Sequence, residues 1–203
     1  MFSQPALAAG FAMSALVTTV VMATLVVGPF HLSGALNLDA ARVGLARSTG
    51  PLAAAFTGAP AGRAVDRFGA QPMTFTGLAV MAAGSAAMPI AAGAGGLPGY
   101  IAALVAITSG YALFQAANNT AVITSIEADQ RGVGSGMLNL SRNLGLITGA
   151  SVMGAVFARA SGVRDVAAAH PQAVVAGVQA TFAVATALVL AALALAILAR
   201  RPH

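Results

Sequence analysis

The sequence predicts an all-α membrane protein with six transmembrane helices, and three observations lead there. Of its 203 residues, 58% are hydrophobic and only 7% are charged, against about 25% charged in soluble domains. No Asp, Glu, Lys or Arg occurs from Met1 to Leu38, from Phe68 to Ile126, or from Val166 to Ala199. Each of these stretches is long enough for one or two membrane crossings, since a helix needs roughly 20 apolar residues to cross about 30 Å of hydrocarbon. Finally, the apolar runs lack the period-two alternation of a barrel strand. Lipid cannot satisfy free backbone groups, so they must be helices.

Hydropathy, punctuated by Gly, Pro and charge, places the spans in a single bundle over residues 1–203. The first, near Leu7–Phe30, is uncharged and closes at Gly28-Pro29. No Lys or Arg precedes its apolar run, so a cleaved secretory signal is not expected and the helix should be retained. The second, near Val43–Ala61, carries Gly50, Ala54, Gly58 and Gly62 at four-residue intervals, a small-residue face suited to close helix contact. The third, near Pro72–Ala92, is joined to the fourth, near Tyr100–Ile126, by the uncharged AGAGGLPG of residues 92–99. The fifth, near Val133–Ala158, contains Gly145-x-x-x-Gly149, and the sixth runs near Ala173–Ala199. Helices three and six show no polar stripe and are expected to be peripheral, facing lipid. An even count puts both termini on one side. Arg63, Arg67, Arg131, Arg200 and Arg201 then face Arg42, Arg47, Arg159 and Arg164, too even a split for the positive-inside rule to set orientation.

Composition also excludes several functions. The net charge of +5 comes from ten arginines scattered at the ends of apolar runs, which is no nucleic-acid-binding patch. Cysteine is absent, and His31, His170 and His203 lie in predicted loops or the tail without metal-ligand spacing, so neither thiol chemistry nor a metal is expected. With no Ser-His-Asp set, phosphate loop or paired carboxylate, the chain reads as no enzyme and needs no cofactor. Its acids, Asp39, Asp66, Glu127, Asp129 and Asp165, all fall in connections or at helix ends.

The informative residues are polar ones inside spans. On helix four, Thr108, Tyr111, Gln115, Asn118 and Asn119 share an arc of about 100° at 100° per residue. Amides facing hydrocarbon cost several kcal/mol, roughly, so this face must meet protein, water or a ligand. A substrate cavity is one reading, and interhelical hydrogen bonds of about 1 kcal/mol are the other. On helix five, Ser135, Asn139, Arg142 and Asn143 form a similar arc. Arg142 lies about 14 Å into that span, where an ionised side chain is a functional candidate by default.

Between helices two and three stands GRAVDRFGA, residues 62–70. Gly62 and Gly69 permit a sharp turn, Asp66 can sit at a helix N-terminus, and Arg67 can pair with an acid or a lipid headgroup. This resembles the loop signature of the major facilitator superfamily, Gly-x-Leu-Ala-Asp-Arg-x-Gly-Arg-Lys. Ala64 stands in place of Leu, and Ala70-Gln71 in place of the trailing basic pair. GYALFQAANNTAVITSIEADQRGVGSGMLNLSRNLGLITG, residues 110–149, resembles the corresponding helices of its fourteen-span multidrug-efflux (drug:proton antiporter) branch. The resemblance implies two inverted three-helix repeats, the carboxy-terminal half of a secondary transporter with its cavity at the midplane against the other half. It implies a cavity lined by helices one and four, and a gating contact between Asp66 and the start of helix five near 132–135. It also implies both termini in the cytoplasm at a bacterial inner membrane. The function expected is alternating-access efflux of small organic molecules, with coupling carboxylates in a second six-helix half supplied by a longer chain or a dimer partner. A non-transporting scaffold or transporter remnant is the alternative.

Overall fold

A computed structural model describes residues 5–162 and 170–199. Arg164, Asp165, Arg200, Arg201 and His203, named above, lie outside those residues. The described residues form five α-helices: α1 (Pro5–Phe30), α2 (Ala40–Phe68), α3 (Ala70–Thr124), α4 (Arg131–Ser161) and α5 (Pro171–Leu198).

The difference from six separate helices lies in α3, a 55-residue element that takes in both predicted helices three and four. Its one residue with non-helical geometry is Gly96, at φ 56° and ψ −137°. That positive φ is open to glycine at little steric cost. The expected eight-residue connection is therefore a reversal about a single residue. The arms, residues 70–95 and 97–124, fold back on each other with backbones in contact. A Cβ built on Gly77 would lie 2.5 Å from the Phe114 nitrogen, and one on Gly110 would lie 2.7 Å from that of Met81.

Two other connections are also tighter than predicted. Helix α1 does not stop at Gly28-Pro29 but continues into a π-helical turn, His31–Ala35, so His31 is not in a loop. Helix α2 runs through Gly62 to Phe68, and Gly69 alone turns, at φ 89° and ψ 154°. At the other end of α2, the Asp39 side chain accepts from the Arg42 N–H at 2.8 Å, a side-chain N-cap. A short 3-10 turn, Ala128–Gln130, precedes α4, and Pro171 opens α5 where a missing N–H costs nothing.

Helix α1 sits at the centre, packed on α4, α5 and α3, whereas α2 leans almost wholly on α3. Gly145 and Gly149 bring α4 against α1 so closely that a Cβ on Gly149 would lie 2.8 Å from the Thr19 Cα, and one on Gly145 would strike the Ala15 carbonyl. The matching stripe on α2 behaves differently: a Cβ on Gly50 would make ordinary contact, nearest the Leu104 side chain at 3.7 Å, and Gly58 and Gly62 face open space. Helix α5, expected at the periphery, buries Val174, Phe182, Ala185 and Val189 among α1, α3 and α4. Its lack of polar residues reflects an apolar core as much as a lipid face, and composition cannot distinguish these two surroundings.

Among the described residues, four segments are long and apolar enough to cross a membrane: Ala6–Ala35, Ala70–Thr124, Ala128–Ser161 and Pro171–Leu198. The second predicted span is not among them, because α2 carries Arg42, Arg47, Arg63, Asp66 and Arg67 along with a Gly- and Thr-containing centre. Each arm of α3 is long enough for one crossing at 1.5 Å per residue. The protein is an integral membrane protein.

Candidate functional site

The polar stripe on the second arm of α3 divides along its length. At one end Asn118, 2% exposed, donates from Nδ2 to the Gly10 carbonyl of α1 at 3.1 Å. A cavity of about 130 Å³ opens beside it, lined also by Gln71, Thr74 and Ser125. Thr74 and Ser125 each donate to a carbonyl of their own helical segment, Ala70 at 2.9 Å and Ala121 at 2.7 Å. Most of the polar capacity at this end is already used.

Two turns away lies a larger cavity of about 210 Å³ between α1, α2 and the same arm of α3. Thr108 and Tyr111 line it from α3, Thr24 from α1 and Arg47 from α2, with Tyr100 and Leu104 completing the wall. Most threonines in the helices return their hydroxyl to a carbonyl three or four residues back, as Thr24 does to Val21 at 2.8 Å. Thr108 makes no hydrogen bond among the described residues, which leaves its hydroxyl free for an occupant. Tyr111 lies near the Thr18 side chain, which itself donates to the Ser14 carbonyl, and within the electrostatic reach of Arg142 on α4. The Arg142 Nε is buried without a hydrogen-bond partner. The structure therefore places Thr108 and Tyr111 on one cavity wall, with Arg142 outside its lining, while Gln115 and Asn119 stay half-buried on α3 outside both cavities.

Arg47, Tyr100 and Thr24 were not singled out from the sequence. The signal existed for Arg47: it falls inside the predicted second span, as Arg142 does inside the fifth, and an arginine there warrants the same attention. Tyr100 separates this cavity from a buried histidine. His31 is 4% exposed, stacks on the Tyr100 ring at 6.0 Å between centroids, and leaves both ring nitrogens without a partner.

The remaining candidates are dispersed. On α4, Ser135, Asn139 and Asn143 are exposed and face away from the packed helices. Asp66 and Arg67 are exposed at the end of α2. Asp66 takes part in no ion pair or hydrogen bond among the described residues, and Arg67 lies over the Phe68 ring at 5.3 Å. Among the described residues, no hydrogen bond or ion pair joins Asp66 to residues 132–135. The described residues contain no cluster of His, Cys, Asp and Glu able to hold a metal ion.

Comparison with known proteins gives two findings. The family described as Major Facilitator Superfamily matches residues 7–203. The uncharacterized transporter YebQ of Escherichia coli (strain K12) is 31% identical over 125 residues, which cover 62% of this chain and 27% of that protein.

Proposed function

Because the chain belongs to the major facilitator superfamily, we propose that it moves small organic molecules across a membrane by alternating access, in the direction of efflux, as half of a secondary transporter. The observation that carries this reading is the 210 Å³ cavity, which opens between apolar helices with threonine and tyrosine hydroxyls in its wall and the exposed Arg47 guanidinium at its mouth. Its volume is below the roughly 300–1,000 Å³ of pockets for drug-sized ligands, so it suits one or two rings or the head of a longer molecule.

Two further features support the architecture. Counting the arms of α3 separately gives six crossings in two triplets: α1, α2 and the first arm, then the second arm, α4 and α5. The first member of each triplet leans on the second member of the other, α1 on α4 and the second arm on α2. This reciprocity is what two inverted repeats would produce. The exposed polar face of α4 supports a second half: Ser135, Asn139 and Asn143 would be costly against lipid and are better met by protein or a water-filled path. Exposed Leu45 and Phe56 on α2, at 71% and 77%, offer further uncovered surface. In this arrangement the termini are cytoplasmic and the membrane is a bacterial inner membrane.

The test is accumulation of a panel of fluorescent anions, cations and neutral dyes in cells with and without the protein. At least one compound should be depleted in expressing cells. Thr108→Val and Tyr111→Phe should each weaken that depletion by about two- to tenfold, the range for a lost neutral hydrogen bond, at unchanged membrane levels. Equal accumulation of every compound with and without the protein would remove the transport reading.

A further inference from the structure

We propose that the cavity between α1, α2 and the second arm of α3 binds an organic anion, an aromatic or similarly apolar body carrying one carboxylate, sulfonate or phosphate group. The inference rests on the transport reading, since the anion is taken to be the cargo, and it narrows that cargo to one charge class.

Two guanidiniums, one lining the cavity and one on α4, have no acidic partner among the described residues. Arg47 lines the cavity and acts electrostatically on Tyr100. Arg142 approaches from α4 and acts on Tyr111, which lines the same wall. Arginine stays charged at any relevant pH. Arg142 is half-buried with an unpartnered Nε, where water screens charge poorly, whereas Arg47 is exposed at the mouth of the cavity and open to an incoming anion. Neighbouring Arg42 illustrates the alternative, with Asp39 at 3.7 Å. Neither Arg47 nor Arg142 has such an acid: among the described residues that salt bridge to Arg42 is the one ion pair present. The remaining acids of those residues, Asp66, Glu127 and Asp129, lie at the far end of α2 or between α3 and α4. Among the described residues, the cavity lining thus carries the positive charge of Arg47 and no acid.

The other lining groups fit the same ligand class. The free Thr108 hydroxyl can donate to an anionic oxygen, and a guanidinium offers a planar fork of donors matched to a carboxylate or phosphate. Val21, Leu25 and Leu104 supply an apolar surface for the rest of the molecule. An organic cation would meet the Arg47 guanidinium and no carboxylate.

The experiment uses the full chain in nanodiscs of zwitterionic lipid, with empty nanodiscs subtracted. Equilibrium dialysis compares 2-naphthoate, 2-naphthamide and 2-naphthylmethylammonium, which share a ring system and differ in charge. Naphthoate should bind tightest. Arg47→Gln should weaken its binding roughly tenfold or more, as expected for a charge-assisted hydrogen bond, and should leave naphthamide unchanged. Arg47→Lys should recover part of the loss, and Arg42→Gln should have no effect. Arg142→Gln should weaken naphthoate binding as well, by a smaller factor. Equal affinity for naphthoate and naphthamide, tighter binding of the ammonium compound, or naphthoate binding indifferent to Arg47→Gln would each overturn the proposal. Liposome flux separates it from the transport reading. Arg47-dependent naphthoate binding without flux sustains the anion site and sinks transport. Flux confined to cations or neutral compounds, and unaffected by Arg47→Gln, sustains transport and sinks the anion site.

Discussion

The two ends of the α1–α3 seam use the same kinds of residue for opposite purposes. At the Asn118 end, a buried amide is bonded to the Gly10 carbonyl, and nearby hydroxyls return to their own helix. At the Tyr111 end, Thr108 is free, two arginines lack acids, and a wider cavity stands open. One helical stripe therefore contains both fastening and receptive positions. Periodicity, which assigns residues to a face, cannot tell where along that face one becomes the other.

The strongest way to break the comparison is to force the hairpin that carries the stripe. In Gly110→Leu, the Cβ would meet the Met81 nitrogen at 2.7 Å and the Gly77 carbonyl oxygen at 2.8 Å. Backbone must move to relieve this, at the upper end of the overpacking range or beyond it, about 3 kcal/mol or more. Thermal unfolding in detergent should show a large loss of stability, and the Arg47 cavity should lose naphthoate binding. An unchanged Tm would mean that the arms are not held at this distance.

Asn118→Leu sharpens the contrast at moderate cost. It removes one interhelical hydrogen bond and should lower stability by about 1 kcal/mol, while naphthoate binding at the Arg47 cavity stays as in the parent. Altered binding with unaltered stability would instead move Asn118 to the receptive side. The smallest effect is expected for Asp66→Asn, at an exposed, unpaired position: stability should change by no more than about 0.5 kcal/mol. If Asp66 engages α4 only in another conformation of the cycle, turnover should nevertheless fall. Normal turnover would deny it a gating role.

Much of the fold was legible because membrane helices announce themselves by length and lack of charge. The ends of α1, α4 and α5 fall near their expected places. What escaped was set by single residues. Gly96 alone makes the reversal that eight residues of Gly, Ala, Leu and Pro led one to expect, and Gly62 stays helical although it begins a turn-like motif. The glycines at 145 and 149 do bring helices together, whereas those at 58 and 62 do not. Spacing records which face is small, and only the partner helix decides whether it is used. Arg47 lies within the second predicted span, but a charge one turn or two from a span's end looks the same in sequence whether it meets a headgroup or lines a cavity.

The reversal at Gly96 also bears on how the protein enters a bilayer. From Phe68 to Ile126 there is no charged side chain, and the arms of α3 are separated by one non-helical residue. Neither arm has a polar anchor at that end to hold it on one side while the other is threaded. The lowest-cost route is insertion of the two arms together as a helical hairpin, already locked through Gly77 and Gly110. The charges that fix its direction then lie only at its open end, Arg63, Asp66 and Arg67 before it and Glu127, Asp129 and Arg131 after it. Topogenesis of the central third of the chain is thus controlled from a single membrane face.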